Sequence, residues 1–281
     1  SEASSLAGTQ QLDNLTVIWD DNHISIEDDT AIAFSENTVE RYKAYGWKTY
    51  EVPLGEDGSV DVDALADVMT QARAHKGSPT FIRLRSIIGW PAPNKKNTYQ
   101  AHGADLGADE IRDVKEILGF DPDKSFEVSD DVLAHARKVM DRGEAAKAEW
   151  QTQFDAWAAA NPDRAALLER IQSKELPPIE LPSFEAGTSV ATRKASSVVI
   201  QALAAALPEF VGGSADLAES NLTTIAGAPS FLPDSIFVKK DSPFAGPHSP
   251  YGRVLHFGVR EHAMGAAVNG MALSGLLKPF G

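Results

Sequence analysis

Four groups of residues in this chain have the types and spacing that chemistry needs. Asp20-Asp21-Asn22-His23-Ile24 sets two carboxylates, a carboxamide and an imidazole directly after an apolar, β-branched run, Leu15–Trp19. Ligands of open α/β sheets bind beyond the carboxyl ends of the strands. Hard oxygens there suit Mg²⁺, or Ca²⁺ in its place, and a Mg²⁺ with few protein ligands also takes phosphate oxygens. The same residues also read as a polar turn with Asn22 in a local side-chain turn. His102, in Gln100-Ala101-His102-Gly103, can donate to a phosphate or exchange a proton near neutral pH, or simply face solvent. Arg193 can fork onto a phosphate with Ser220 as a neutral donor, but these two meet only through the fold, and Arg193 serves a surface ion pair equally well. Glu261, in Gly258-Val259-Arg260-Glu261-His262, follows a strand and a turn. Burial would raise its pKa and let it hold a proton near neutrality. Pairing with Arg260 or His262 at a helix start is the alternative.

These residues need elements to position them. Leu15–Trp19 reads as a buried parallel strand, 47–52 as a second strand and 79–84 as a third, with helices over 38–45 and around Leu65, Val68, Met69 and Ala72. Strand and helix alternation argues for a parallel α/β sheet. Asp57-Gly58 marks a turn. A loop rich in Pro, Asn and Gly covers about 89–107, a length usually functional or disordered. Residues 109–173 read as mostly helical. Trp150, Phe154 and Trp157 share one face as a packing stripe, and Asn161-Pro162 reads as an N-cap followed by Pro at the first helical position. Leu176–Pro182, with three prolines, reads as an extended linker. The α/β pattern then resumes: a helix face at Ala195–Ala206, a strand at 209–211, a loop over about 219–252, a strand at 254–257, and a small-residue helix over 261–273.

Composition narrows the function classes. The 281 residues are 43% hydrophobic and 23% charged, which is globular. The net charge of −14 argues against binding nucleic acid or an anionic membrane. With no Cys, disulfides, thiolate zinc sites and thiol catalysis are excluded. No signal peptide is recognisable and no apolar run is long enough to cross a bilayer, so the expected location is cytoplasmic. The chain opens on what reads as the end of an amphipathic helix (Ala3, Leu6, Ala7) and stops after an apolar helical segment. The expectation is an internal piece of a longer protein.

Taken together, these segments resemble the transketolases, which are thiamine diphosphate enzymes. Ser1–Gly8 resembles the helix after that family's Gly-Asp-Gly cofactor motif, and Asp20–Ile26 the motif's second half. Ser214-Ala215-Asp216-Leu217 with Ser220-Asn221-Leu222-Thr223 is similar to a segment typical of the family, and Gly258–Glu261 matches its glutamate motif. The resemblance implies parts of two thiamine diphosphate-binding parallel-sheet domains joined by a helical segment and a Pro-rich linker. These are a diphosphate-binding part over 1–175 (its helical segment 109–173), a linker over 176–190 and a pyrimidine-binding part over 191–281.

It also implies roles. Asn22 resembles a side-chain ligand and Ile24 a backbone-carbonyl ligand of a Mg²⁺ bridging to the cofactor diphosphate. Ile26 resembles the residue packed on the thiazolium. His102 resembles the histidine facing both diphosphate and sugar, and Arg193 and Ser220 the groups that bind the sugar phosphate. Asp216 resembles an aspartate near the cofactor, and Glu261 the catalytic glutamate that bonds the aminopyrimidine nitrogen. Glu2 resembles a glutamate at a subunit interface. The implied reaction is reversible transfer of a two-carbon ketol unit from a ketose phosphate to an aldose phosphate, in the pentose phosphate pathway, by a homodimer with its sites between subunits. Missing are the Gly-Asp-Gly motif with its aspartate ligand, the family's early histidines, the aromatic pocket for the aminopyrimidine and the third domain. The 281 residues alone are therefore expected to be inactive and prone to aggregate. Rival readings are a related enzyme such as dihydroxyacetone synthase or deoxyxylulose phosphate synthase (the latter disfavoured by the Ser-Ala-Asp-Leu and Ser-Asn-Leu-Thr segments), and a non-catalytic transketolase-like interaction protein.

Overall fold

A computed structural model describes residues 1–281. The chain begins with α1 (Glu2–Thr9), β1 (Thr16–Asp21), α2 (Thr38–Ala44), β2 (Lys48–Val52), α3 (Val62–Ala74) and β3 (Thr80–Arg85). It continues through α4 (Gln100–Gly103), α5 (Ala108–Ile117), α6 (Asp130–Ala160), α7 (Pro162–Gln172) and α8 (Thr192–Ala206). Then come β4 (Phe210–Ser214), α9 (Ala218–Asn221), β5 (Ser230–Phe231), β6 (His248–Ser249), β7 (Val254–His256), α10 (Glu261–Leu273) and β8 (Lys278–Phe280). Two compact units result: Ala7–Arg137, and Lys138–Gly281 with Ser1–Leu6.

The unit Ala7–Arg137 holds a parallel sheet in the order β1-β3-β2, with Thr80 in register with both Thr16 and Lys48. Neighbouring residues of a strand point to opposite faces. Phe81 accordingly packs with Ala7, Val39 and Trp47, while Ile82 packs with Val52 and Ala72. Helices α2 and α3 thus cover opposite faces of β3. Each starts at a side-chain cap: Asn37 accepts from the Glu40 N–H at 3.2 Å, and Asp61 from that of Ala64 at 2.9 Å. The expectation of a buried first strand is corrected. β1 lies at the sheet edge and only Val17, Trp19 and Asp21 turn toward neighbours, leaving Ile18 42% exposed.

The other unit holds a five-stranded parallel sheet, β6-β5-β7-β4-β8. Ile200 and Ala204 of α8, with Leu207 just after it, bury against Phe210, Ile225 and Val254. β4 does not stop at Val211 but runs on through Gly212-Gly213. A Cβ on Gly213 would stand 1.9 Å from the Leu255 carbonyl oxygen, and one on Gly212 2.3 Å from that of Phe280. The glycines let β7 and β8 approach β4 from both sides. Helix α7 is tied to this sheet by a two-pronged ion pair. Arg170 Nη1 donates to Glu209 Oε1 at 3.0 Å, and Nη2 to Oε2 at 2.8 Å.

Two helical expectations change. Trp150, Phe154 and Trp157 stack on one another, with centroids 5.1 and 5.6 Å apart, yet α6 has no buried residue and Trp150 is 56% exposed. Their spacing fixes a shared face, not a second element to cover it. Pro162 does open α7, but the Asn161 side chain donates back to the Trp157 carbonyl at 2.9 Å instead of capping.

Candidate active site

The carboxyl end of β1 carries the first group. Asp21 is 4% exposed and accepts from Arg83 Nε at 2.6 Å, while Arg85 Nη1 and His23 Nε2 lie within ion-pair distance of its carboxylate, at 3.2 and 3.3 Å. Arg83 Nη1 also donates to Glu51 at 2.9 Å. Burial lowers the pKa of Arg83, but its hydrogen bonds to Asp21 and Glu51 outweigh that and the net shift is upward. Asn22, half-buried, accepts at Oδ1 from the Ile24 N–H at 2.9 Å, the local side-chain turn that spacing allowed. Ile24 pairs with Asp29 as an antiparallel bridge flanked by the bonds Ser25 N–H to Asp28 and Thr30 N–H to His23, both 2.8 Å. That is the pairing in which a residue's own N–H and C=O point away from its partner. The Ile24 carbonyl therefore lies on the side where its N–H meets Asn22. Two neutral oxygens on one side fit a hard divalent cation whose other ligands come from phosphate and water. No cluster of three or more His, Cys, Asp or Glu side chains supplies another metal centre. Ile26 is 71% exposed, an apolar side chain presented on the loop.

His102 sits on α4, exposed, in a loop built to hold it. Its N–H donates to the Tyr99 carbonyl at 3.0 Å. Gly89, at φ +71°, allows close approach of Ala101: a Cβ there would stand 2.9 Å from the Ala101 Cβ. The loop is anchored by Glu110, a 6% exposed carboxylate that spacing did not single out. It accepts from the Asn94 side chain at 2.9 Å, the Asn94 N–H at 2.8 Å and the Lys95 N–H at 2.9 Å. The Asn94 amide, against the opposing effect of burial and aided by the two backbone N–H groups, holds the Glu110 carboxyl below its usual range.

In the other unit, α9 packs on α8, which puts Ser220 and Arg193 on adjacent elements with both side chains exposed. Gln201 of α8 fixes that arrangement, donating to the Thr224 carbonyl at 3.0 Å and accepting from the Ala226 N–H at 2.9 Å. Asp216 and Leu222 flank α9 in the left-handed region, at φ +64° and +55°. Asp216 is exposed, and Ser220 Oγ donates to the Leu217 carbonyl at 3.3 Å.

Glu261 is the first residue of α10 and is exposed, so the burial weighed for it is not found. Pairing with Arg260 is not found either. Arg260 donates from Nη1 to the Phe257 carbonyl at 2.9 Å and from Nη2 to Ser5 Oγ at 3.1 Å. The amide of Ala263 donates to Glu2 at 3.0 Å, so the α1 carboxylate caps α10 and Glu261 is left facing outward.

Residues 1–177 match a family model described as transketolase, thiamine diphosphate binding domain, and 188–281 match transketolase, pyrimidine binding domain. The chain belongs to the transketolase family. A transketolase of Mycobacterium tuberculosis is 52% identical over the whole chain, and transketolase 1 of Saccharomyces cerevisiae is 40% identical. The chain spans 39% and 40% of those two relatives. Transketolase from Leishmania mexicana superposes with a TM-score of 0.87 at 36% identity, covering 100% of this chain and 40% of that one. A Pichia stipitis transketolase in complex with sedoheptulose 7-phosphate gives 0.84 at 38% identity, covering 96% and 39%. The fold expected from the transketolase resemblance, α/β with parallel sheets of the thiamine diphosphate-binding kind, is the fold found.

The anchors Arg83, Arg85, Glu110 and Gln201 escaped sequence reasoning. The one usable signal was Arg83 and Arg85 alternating at the end of an apolar strand, where ligands of such sheets bind.

Proposed function

We propose that this chain serves a transketolase: reversible transfer of a two-carbon ketol unit from a ketose phosphate to an aldose phosphate, within the pentose phosphate pathway. The observation that carries the reading is the match of both chain segments, end to end, to transketolases at up to 52% identity. The same relatives give no support to a dihydroxyacetone synthase or to a non-catalytic interaction protein. The reading includes thiamine diphosphate, Mg²⁺ (or Ca²⁺), a homodimer and a cytoplasmic location. No helix is long and apolar enough to cross a membrane. In this reading 1–175 is the diphosphate-binding part, 176–190 the linker and 191–281 the pyrimidine-binding part.

Thiamine diphosphate, when bound, supplies the electron sink for cleaving the carbon–carbon bond. The chain's own residues bind and orient. Asn22 Oδ1 and the Ile24 carbonyl offer oxygens to the cation, and Ile26 offers an apolar contact. His102, exposed and held on its loop, donates to phosphate or passes a proton to and from a sugar oxygen. Arg193 and Ser220, on adjacent helices, take the substrate phosphate. Glu261 presents an outward carboxylate to a ring nitrogen, and Asp216 lines the cofactor's surroundings. The test is ketol transfer by the complete natural protein, with substrate profiling, stripped of and then resupplied with thiamine diphosphate and Mg²⁺. Activity that survives full removal of the cofactor, or the absence of transfer to any aldose phosphate, overturns the reading.

A further inference from the structure

The polar contacts around Asn22 converge on its neighbour. Asp21 Oδ2 takes Arg83 Nε at 2.6 Å and Arg85 at 3.2 Å, while Oδ1 faces His23 Nε2 at 3.3 Å. Arg85 also donates to the Asp21 backbone carbonyl, which belongs to the peptide unit leading into Asn22. One residue earlier, Ser86 Oγ donates to the Asp20 carboxylate, which also faces Asn22 Nδ2 at 3.5 Å. One residue later, His23 stands at φ +64°, a conformation non-glycine residues rarely adopt without support. The peptide leading into Asn22 is thus held by Arg85, the His23 imidazole on its other side stands within ion-pair distance of Asp21, and the Asp21 carboxylate on which these groups converge is only 4% exposed.

We propose that Asp21, gripped by Arg83, is a positioning residue that holds Asn22 Oδ1 and the Ile24 carbonyl in place for a divalent cation. Asp21 is not itself a ligand here: Oδ2 is occupied by the arginines and Oδ1 faces His23. Its charge is balanced from β3, the central strand, which both helical layers hold still. A free Asn22 loop would have to be ordered at the moment of binding, and that ordering entropy would weaken cation binding. Outer partners of this kind commonly change metal affinity about 10–100-fold.

The proposal rests on the reading that Asn22 ligates the cation, so the experiment separates the two. Mg²⁺ is titrated by calorimetry into the complete natural protein with thiamine diphosphate present, and Tm is recorded without either. Four variants are compared: Asn22→Ala, Asp21→Ala, Arg83→Met and His23→Ala. The His23 side chain is 48% exposed, so removing it leaves the fold intact even where loss of Asp21 does not. The expected result is a rise of about tenfold or more in the half-saturating Mg²⁺ concentration for Asp21→Ala and Arg83→Met. A smaller rise is expected for His23→Ala, with its ligand-free Tm unchanged. If Asn22→Ala weakens Mg²⁺ while Arg83→Met and His23→Ala leave it unaltered, the positioning role is overturned and the ligand reading stands. If Asn22→Ala has no effect, both fall.

Discussion

The Glu2 carboxylate accepts a hydrogen bond from the Ala263 N–H at 3.0 Å, although the two residues stand 261 positions apart. A negative group at a helix N-terminus satisfies an orphan amide and complements the helix dipole. Glu2→Ala should therefore lower stability by about 1 kcal/mol. Glu2→Gln keeps an acceptor but loses the charge and should fall between. Urea unfolding of the three proteins checks the order. Equal midpoints for wild type and Glu2→Ala would show that the bond contributes nothing.

Glu261 opens that same helix but faces outward, so its removal should spare the fold. In the complete natural protein, Glu261→Gln should reduce kcat by about 10²–10⁴-fold, the usual range for a positioned proton-handling group. Its stability should stay within about 0.5 kcal/mol of wild type. Steady-state kinetics beside thermal unfolding tests both halves. A variant of undiminished kcat would remove Glu261 from the reaction.

Gly213 has no room for a methyl group, because a Cβ there would meet the Leu255 carbonyl oxygen at 1.9 Å. Gly213→Ala should push β7 away from β4 and destabilise this sheet by about 3 kcal/mol. The comparison is Gly265→Ala on α10, where a Cβ meets nothing within 4 Å. That change should be neutral or mildly stabilising, since alanine suits a helix better than glycine.

His256 joins β7 to β5 through its Nε2 and Ser230 Oγ, 2.8 Å apart, and burial lowers its pKa below the ordinary 6.5. A proton then binds the unfolded chain more readily than the folded one. The stability that depends on the neutral ring is complete above about pH 6.5 and is lost as pH falls from there through the folded-state value. His256→Gln should flatten the unfolding free energy between about pH 7 and pH 5 relative to wild type. Parallel pH profiles for the two proteins would refute the assignment.

Much of the local structure was legible. Apolar runs at 15–19, 47–52 and 79–84 overlap β1, β2 and β3, and the helices read over 38–45 and around Leu65–Ala72 are α2 and α3. The short strands β5 and β6 were hidden because two-residue elements carry no periodicity, and β8 because Lys278–Phe280 includes a proline. At the candidate site, Asn22, His102 and Glu261 were singled out by residue type and by resemblance. Their supports were not. Asp21 and Arg83 are 62 residues apart, and Glu110 reaches back 16 to Asn94. Such pairs are made by strand register and loop closure, which no local pattern records.

β1 forms the outer strand of its sheet, while β3 is bonded on both sides. In the 281-residue chain by itself, backbone amides of β3 will therefore exchange with deuterium only in rare, wide openings, whereas β1 can peel away alone. Peeling carries Asp21 off Arg83 and takes Asn22 with it. A cation or diphosphate held at the end of β1 would have to leave first, so occupancy there should be readable as slowed exchange along the whole strand.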